Sequence, residues 1–262
     1  MIRSTIFNLL FYSFTFVMAG CCWVAARVSG RRAMWHVIRF WANTVLLMLR
    51  VILGAKVEVR GREHFDPSRC QLIVAKHQSE LDIVMLGVLM WEISAVAMEE
   101  LTKLPFFGTI LKTVGTVNIA VNSGPQGRTA QMIEGGKRVR EEGRTMVIYP
   151  EGELMKLGAK ERYKSGAGHL YKAMDVEAVP VAISLGVIWP QRQWRKNPGT
   201  TGAIEFMEPI PPGMEFDQFM QTIEERIETQ TMKLIEEHAS GAQLEEARAR
   251  YAAKANNEWE YL

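Results

Sequence analysis

Cysteine is scarce in this chain of 262 residues. There are three, Cys21, Cys22 and Cys70. So few, odd in number and scattered, they exclude a disulfide scaffold and suit a reducing compartment. They form no metal-ligand spacing, and no histidine–carboxylate cluster does either, so no metal site is expected. No Gly-x-Ser-x-Gly occurs, which leaves the nucleophile elbow of an α/β-hydrolase unsupported. No Gly-x-Gly-x-x-Gly follows a strand and no Walker motif is present, which counts against a dinucleotide site. Charge of either sign is not in excess: 31 Lys and Arg face 29 Asp and Glu, so no nucleic-acid footprint shows in the total. There is no internal repeat, sustained heptad or low-complexity tract. Histidine (five) and aspartate (four) are both rare, so a close pairing of the two is informative.

One absence leads to what is there. Residues 4–26 carry no charge and are rich in Phe, Leu, Val, Ile and Ala, with Arg3 and Arg27 at their ends. The run is long enough to cross a bilayer as a helix. A signal peptide would have a shorter apolar core followed by a cleavage site; a retained anchor fits better. Arg27, Arg31 and Arg32 place the remainder on the cytoplasmic side of an inner membrane. A second apolar segment, residues 34–53, includes His36, Arg39, Arg50, Trp35 and Trp41. It suits a helix lying in the interface. A re-entrant hairpin of both segments, or a helix buried against a soluble domain, fits the same residues.

From Ala55 the pattern alternates. Strands are expected at 57–59, 71–76, 93–98, 115–120, 145–149, 179–185 and 203–207. Helices are expected at 80–91, 109–114, 128–142, 166–174 and 216–238. The stretch 122–126 reads as a loop. Strands alternating with helices define an α/β fold: a single domain with a mostly parallel central sheet flanked by helices, preceded by an N-terminal membrane-associated helical segment. The expected boundaries are anchoring helices over 1–54, a catalytic domain over 55–238 and a helical tail over 239–262, its helical propensity running to Asn256.

Three stretches carry candidate chemistry. In the first, His77 stands where a strand gives way to a helix, the edge at which ligands bind in such sheets. Ser79 and Asp82 resemble a helix N-cap arrangement, and Asp82 can fold back onto the imidazole. A histidine held by a carboxylate is a general base; a histidine and an aspartate that only cap a turn are the alternative. In the second, Pro150, Glu151, Gly152 and Glu153 follow another strand end. Glu151 there could hold a substrate hydroxyl or an arginine, or the stretch could be a polar turn. In the third, Lys164 precedes a helix N-terminus, a place that favours an anion, although a solvated lysine fits equally.

Taken together these residues resemble the glycerolipid acyltransferases typified by bacterial 1-acylglycerol-3-phosphate acyltransferase, over about residues 55 to 238. His77 and Asp82 match His-x-x-x-x-Asp. Glu100, Leu101, Pro105 and Gly108 match the second motif, Pro150, Glu151 and Gly152 the third, and Val179, Pro180 and Val181 the fourth. Tyr163, Lys164 and Gly166, with Trp189, Pro190, Pro198, Gly199 and Thr200, look like a subfamily common in proteobacteria. The resemblance implies that His77 is the general base and that Asp82 orients it. It implies direct transfer of an acyl group, with no cofactor, from acyl-acyl-carrier protein or acyl-coenzyme A to a lyso-lipid at the bilayer surface. Gln78, Ser79, Pro150, Glu151, Gly152, Glu153 and Lys164 are the implied substrate-binding residues. No nucleic acid partner is implied.

Two departures bear on the acceptor. Where the family carries Asp-Arg after the strand that starts at Gly115, this chain has Ala120 and Val121. Where it carries Thr-Arg after Pro-Glu-Gly, this chain has Glu153 and Leu154. Each lost arginine removes a charge-assisted contact worth roughly 1.5–3 kcal/mol to a phosphate. Arg128, Arg144, Lys160, Arg162 or Lys164 are the residues that could substitute. The expected acceptor is therefore 1-acylglycerol-3-phosphate or, alternatively, a phosphate-free lyso-aminolipid such as lyso-ornithine lipid, whose ammonium Glu153 would suit. A non-catalytic lipid-binding relative is a further alternative, opposed by the intact His77, Asp82 and Glu151.

Overall fold

The computed structural model describes residues 1–255. The chain opens with two long antiparallel helices, α1 (Ile2–Val28) and α2 (Gly30–Met48). α2 ends in a wider π turn, Leu49–Leu53, closed by Gly54 in the left-handed conformation. By length and composition both helices could cross a membrane. The α/β unit then runs β1 (Lys56–Arg60), β2 (Leu72–Ala75), α3 (Leu81–Leu89), β3 (Ser94–Met98), α4 (Phe107–Val114), β4 (Val117–Ile119) and α5 (Gly124–Glu141). It continues with β5 (Met146–Ile148), α6 (Gly166–Met174), β6 (Ala178–Ile183), β7 (Thr201–Phe206), α7 (Phe216–His238) and α8 (Gly241–Ala255). Asn256, the end of the expected tail helix, lies outside the described residues.

The seven strands form one sheet in the order β1-β7-β6-β2-β5-β3-β4. Pairing is parallel from β6 to β4. It turns antiparallel between β6 and β7, then parallel again between β7 and β1. β2 lies centrally, and all four of its residues are buried, as expected of a strand covered on both faces. Ile73 and Ala75 pack toward α1, α2 and α3 on one face. Leu72 and Val74 pack toward α5, α6 and α7 on the other. The parallel alternation brings the C-terminal ends of β2 and β5 side by side, and this placement makes the site.

Some element ends differ from the sequence reading. Residues 122–126 are not all loop: α5 already starts at Gly124, with Pro125 in its first turn, where its missing N–H costs nothing. The strand expected from Gly115 begins at Val117, because Gly115 is the left-handed C-cap of α4 (φ 75°).

The second apolar segment folds as α2, packed against α1 with one side buried and the other exposed. Met34, Trp35, Ala42 and Val45 are buried, whereas Arg39, Phe40 and Leu47 are exposed. Both ends of α1 are tied to the α/β unit. Near its start, the Ser4 hydroxyl donates to the Lys196 carbonyl (3.2 Å), and the Asn8 amide donates to the Trp194 carbonyl (2.7 Å). Phe7 and Phe11 meet Trp189 edge-on at 5.3 and 4.9 Å. Beyond its far end, Arg31 donates to the Thr113 carbonyl (3.0 Å) and pairs with Glu142.

Lys196, 2% exposed beneath this contact, lies over the Trp189 ring at 4.5 Å. Burial pushes its ammonium down to about 8, opposed by the charge of Glu80. The folded protein thus releases this proton near pH 8, whereas an unfolded chain holds it to about 10.4. Between those values the unfolded state binds more protons, so stability from this group rises with pH. Thermal melts from pH 7 to 10 should show wild type gaining on the order of 1–2 kcal/mol relative to Lys196→Met; a constant difference would exclude the shift.

Candidate active site

β2 ends at Ala75, and the chain turns through Lys76 and His77 into α3. The Asp82 side chain folds back across this turn. Its Oδ2 accepts from the Gln78 N–H (2.7 Å), the Ser79 N–H (2.9 Å) and His77 Nδ1 (2.9 Å). The N-cap arrangement read from the sequence is therefore present, with the aspartate as acceptor. Ser79 acts differently: its hydroxyl accepts from the Leu81 N–H (3.1 Å) and donates to the Trp189 carbonyl (2.8 Å). Asp82 is fully buried. Burial pushes its carboxyl up, and the hydrogen bonds from His77, Ser79 and Gln78 oppose that rise.

With Asp82 accepting at Nδ1, that nitrogen carries the hydrogen, and the Nε2 lone pair is left as the basic position. The His77 side chain is 12% exposed, so the ring is sheltered but reachable. The Tyr149 ring stacks on it at 4.0 Å between centroids, nearly parallel. Burial, then the charges of Asp82 and Glu151, raise the Tyr149 phenol well above its usual range, so it stays neutral as a flat support.

The third motif forms the wall beside this histidine. The Gly152 N–H donates to the Tyr149 carbonyl (3.0 Å), closing a turn over Pro150 and Glu151. Gly152 has φ 71°, a conformation open to glycine. A side chain there would also strike Lys164, whose Nζ lies 2.4 Å from where a Cβ would be. The Lys164 N–H donates to the Pro150 carbonyl (2.8 Å), and the Met155 N–H donates to the His77 carbonyl (2.7 Å). The loop after β5 is thereby fastened to the turn that carries His77.

Glu151 points inward. It is buried and pairs with Lys76 Nζ at 3.2 Å. Lys76, also fully buried, reaches Glu228 on α7 (2.5 Å) and the Ala159 carbonyl (3.1 Å). The Tyr163 hydroxyl donates to the same Glu228 oxygen (3.0 Å). Burial alone would lower the lysine, yet Glu151 and Glu228 hold it above its ordinary value. The cation expected opposite Glu151 is thus a lysine next to the histidine, not an arginine.

The structure brings together His77, Asp82, Gln78, Ser79, Pro150, Glu151, Gly152 and Lys164. Gln78 and Ser79 are buried and serve Asp82 through their backbone amides. Glu153 is exposed at the outer side of the loop, and Lys164 is exposed against Gly152. Two of the substitute cations lie elsewhere. Arg144 is buried and donates to the carbonyls of Glu92, Ile93 and Val114. Lys160 lies over the Tyr251 ring at 3.7 Å.

The sequence reading assigns no role to Lys76, Tyr149 or Glu228, and takes Tyr163 and Trp189 only as part of a subfamily pattern. A signal existed for two of them. Lys76 is a charge ending an apolar strand. Glu228, Met232 and Ile235 are spaced i, i+4 and i+7, which puts a carboxylate on the buried stripe of α7.

A sheltered histidine is hydrogen-bonded to a buried aspartate at the C-terminal edge of the parallel strands, and comparison gives the class. A family model described as Acyltransferase matches residues 56–184, which include His77, Asp82 and Glu151. The chain is 30% identical over 204 residues to 1-acyl-sn-glycerol-3-phosphate acyltransferase of Pseudomonas aeruginosa, covering 78% of this chain and 79% of the relative. It is 28% identical over 172 residues to the human alpha enzyme of the same name, spanning 64% of this chain and 59% of that protein. In fold it matches the 1-acyl-sn-glycerophosphate acyltransferase PlsC from Thermotoga maritima, with a TM-score of 0.72 and 22% identity, over 89% of this chain and 96% of that one. The protein is an acyltransferase. It belongs to the 1-acylglycerol-3-phosphate acyltransferase family.

Proposed function

We propose that this protein is a membrane-bound lyso-lipid O-acyltransferase that converts 1-acylglycerol-3-phosphate to phosphatidic acid. The observation that carries this reading is His77 with Nδ1 anchored at 2.9 Å by buried Asp82, which directs Nε2 toward an acceptor. Nε2 takes the proton of the acceptor hydroxyl as its oxygen attacks the thioester carbonyl. The tetrahedral intermediate collapses by breaking the C–S bond. The departing thiolate recovers the proton from the imidazolium, so the enzyme ends as it began. Asp82 stabilises the charged ring between these events. The donor is an acyl thioester, on acyl-carrier protein or coenzyme A.

The α1–α2 hairpin fits a bilayer surface. Because α1 is tied to the α/β unit at both ends, the hairpin lies along the membrane face with its exposed apolar side in lipid. The cluster Arg27, Arg31 and Arg32 supports placing the catalytic unit on the cytoplasmic face of the inner membrane.

Lys164, lying against Gly152 in the wall beside His77, is the cation we assign to the acceptor phosphate. Purified enzyme offered either acyl thioester together with 1-acylglycerol-3-phosphate or a lyso-ornithine lipid should yield phosphatidic acid. Acylation of the aminolipid alone would overturn the phosphate reading and give Glu153 its role. Lys164→Ala should lower kcat/KM for the phosphate acceptor roughly tenfold to a hundredfold, through KM. An equal loss on both acceptors would remove Lys164 from phosphate recognition.

A further inference from the structure

We propose that the aromatic loop at residues 104–107 is a third membrane-inserting element, seated in lipid beside the α1–α2 hairpin; this rests on the reading of that hairpin as membrane-embedded. Leu104, Phe106 and Phe107 are 50, 51 and 43% exposed. Three large apolar side chains in four residues are not a scattered surface feature.

The loop is built to hold them outward. Phe106 has φ 62° and ψ −54°, a genuine outlier for a bulky side chain. Such strain persists where the surroundings fix it, and here they do. The Gly108 N–H donates to the Leu104 carbonyl (2.9 Å), and the Leu104 N–H donates to the Leu101 carbonyl (3.3 Å). A Cβ on Gly108 would come within 2.0 Å of the Thr102 carbonyl oxygen, so the tight return is reserved for glycine. The second-motif residues Pro105 and Gly108 thus shape a loop whose product is an exposed aromatic tip.

What covers the tip follows from its neighbours. The Phe106 ring meets Trp23 of α1 edge-on at 5.7 Å, and Arg27 lies over that Trp23 ring at 5.2 Å. Val24 and Val28, on the same end of α1, are exposed. The tip therefore continues the apolar face of the hairpin. Exposed Lys103 and Lys112 flank it, with Glu100 the nearby exposed acid. Aromatic rings at interface depth with lysines reaching headgroups are how a protein seats in an anionic lipid surface. The loop then fixes how the protein is rotated on the bilayer.

The test uses the full chain with Cys21, Cys22 and Cys70 replaced by alanine and Phe107→Cys carrying an environment-sensitive fluorophore. Vesicles are phosphatidylcholine with a minority of phosphatidylglycerol. The expected result is a blue shift on vesicle addition and quenching by lipids bearing a nitroxide on the acyl chain. In a second arm, Leu104→Ser with Phe107→Ser should bind vesicles at least roughly tenfold more weakly with an unchanged melting temperature. If wild type floats with vesicles while the label at 107 stays in water, the loop proposal fails and the hairpin reading stands. If wild type does not float, the hairpin reading fails first. A blue shift that needs protein concentration and no lipid would assign the tip to a second copy of the chain and overturn the proposal.

Discussion

Acyl transfer falls by roughly two to four orders of magnitude when His77 is replaced by alanine, the range that a positioned general base contributes. The fold is expected to survive. The imidazole is at the site surface, and Asp82 keeps the Gln78 and Ser79 amides as donors after the ring is gone. The measurement is turnover of a labelled acyl thioester with saturating lyso-lipid, beside a thermal melt of the same preparation. Loss should appear in kcat, because the ring acts as the hydroxyl loses its proton and not in holding the ground state. A variant retaining a tenth of wild-type turnover would remove His77 from the chemistry and revive the lipid-binding alternative.

The second large effect is on stability. Lys76→Met leaves Glu151 and Glu228 buried without the cation between them, and breaking a buried pair from one side costs roughly 3–5 kcal/mol. The variant should unfold at markedly lower denaturant. Activity should fall with it, since Lys76 is bonded directly to His77 in the chain and the loop bearing Glu151 is fastened to the His77 carbonyl. Replacing all three charges together, with Lys76→Met, Glu151→Gln and Glu228→Gln, should recover most of the stability, because no unpaired charge remains. A triple variant no better than Lys76→Met would mean that packing of the lysine stem, not charge balance, holds this region. Lys76→Met as stable as wild type would exclude both.

The alternation that defines the sheet was readable because most strands are short apolar runs, several of them bounded by Gly or Pro, as β5 is by Gly143 and Pro150, with helix-forming stretches between them. His77 and Asp82 were readable because they are close in sequence and end a strand. The ends of elements were less legible where capping decides them: Gly115 takes a left-handed cap for α4, and Pro125 opens α5. The Lys76–Glu151–Glu228–Tyr163 network was illegible as a unit because its members are far apart in sequence and meet only when β2, β5 and α7 are packed. Trp189 was noticed as part of a pattern, yet its task, receiving the Ser79 hydroxyl on one side and Phe7 and Phe11 on the other, is purely tertiary. The direction of β7 was equally hidden, since an antiparallel strand among parallel ones has the same local composition.

That reversal also bears on how the protein is made. Among the described residues β1 pairs with β7 alone, and Lys56 meets Thr201, about 145 residues later, a delay of roughly 7 to 30 seconds at usual synthesis rates. Throughout that interval the hairpin and β1 have been synthesised while the strand that pairs with β1 has not. If the hairpin is membrane-bound as proposed, early capture of α1 and α2 by lipid would keep this unpaired strand beside the bilayer and away from other nascent chains, and the membrane would double as the chaperone of the sheet edge.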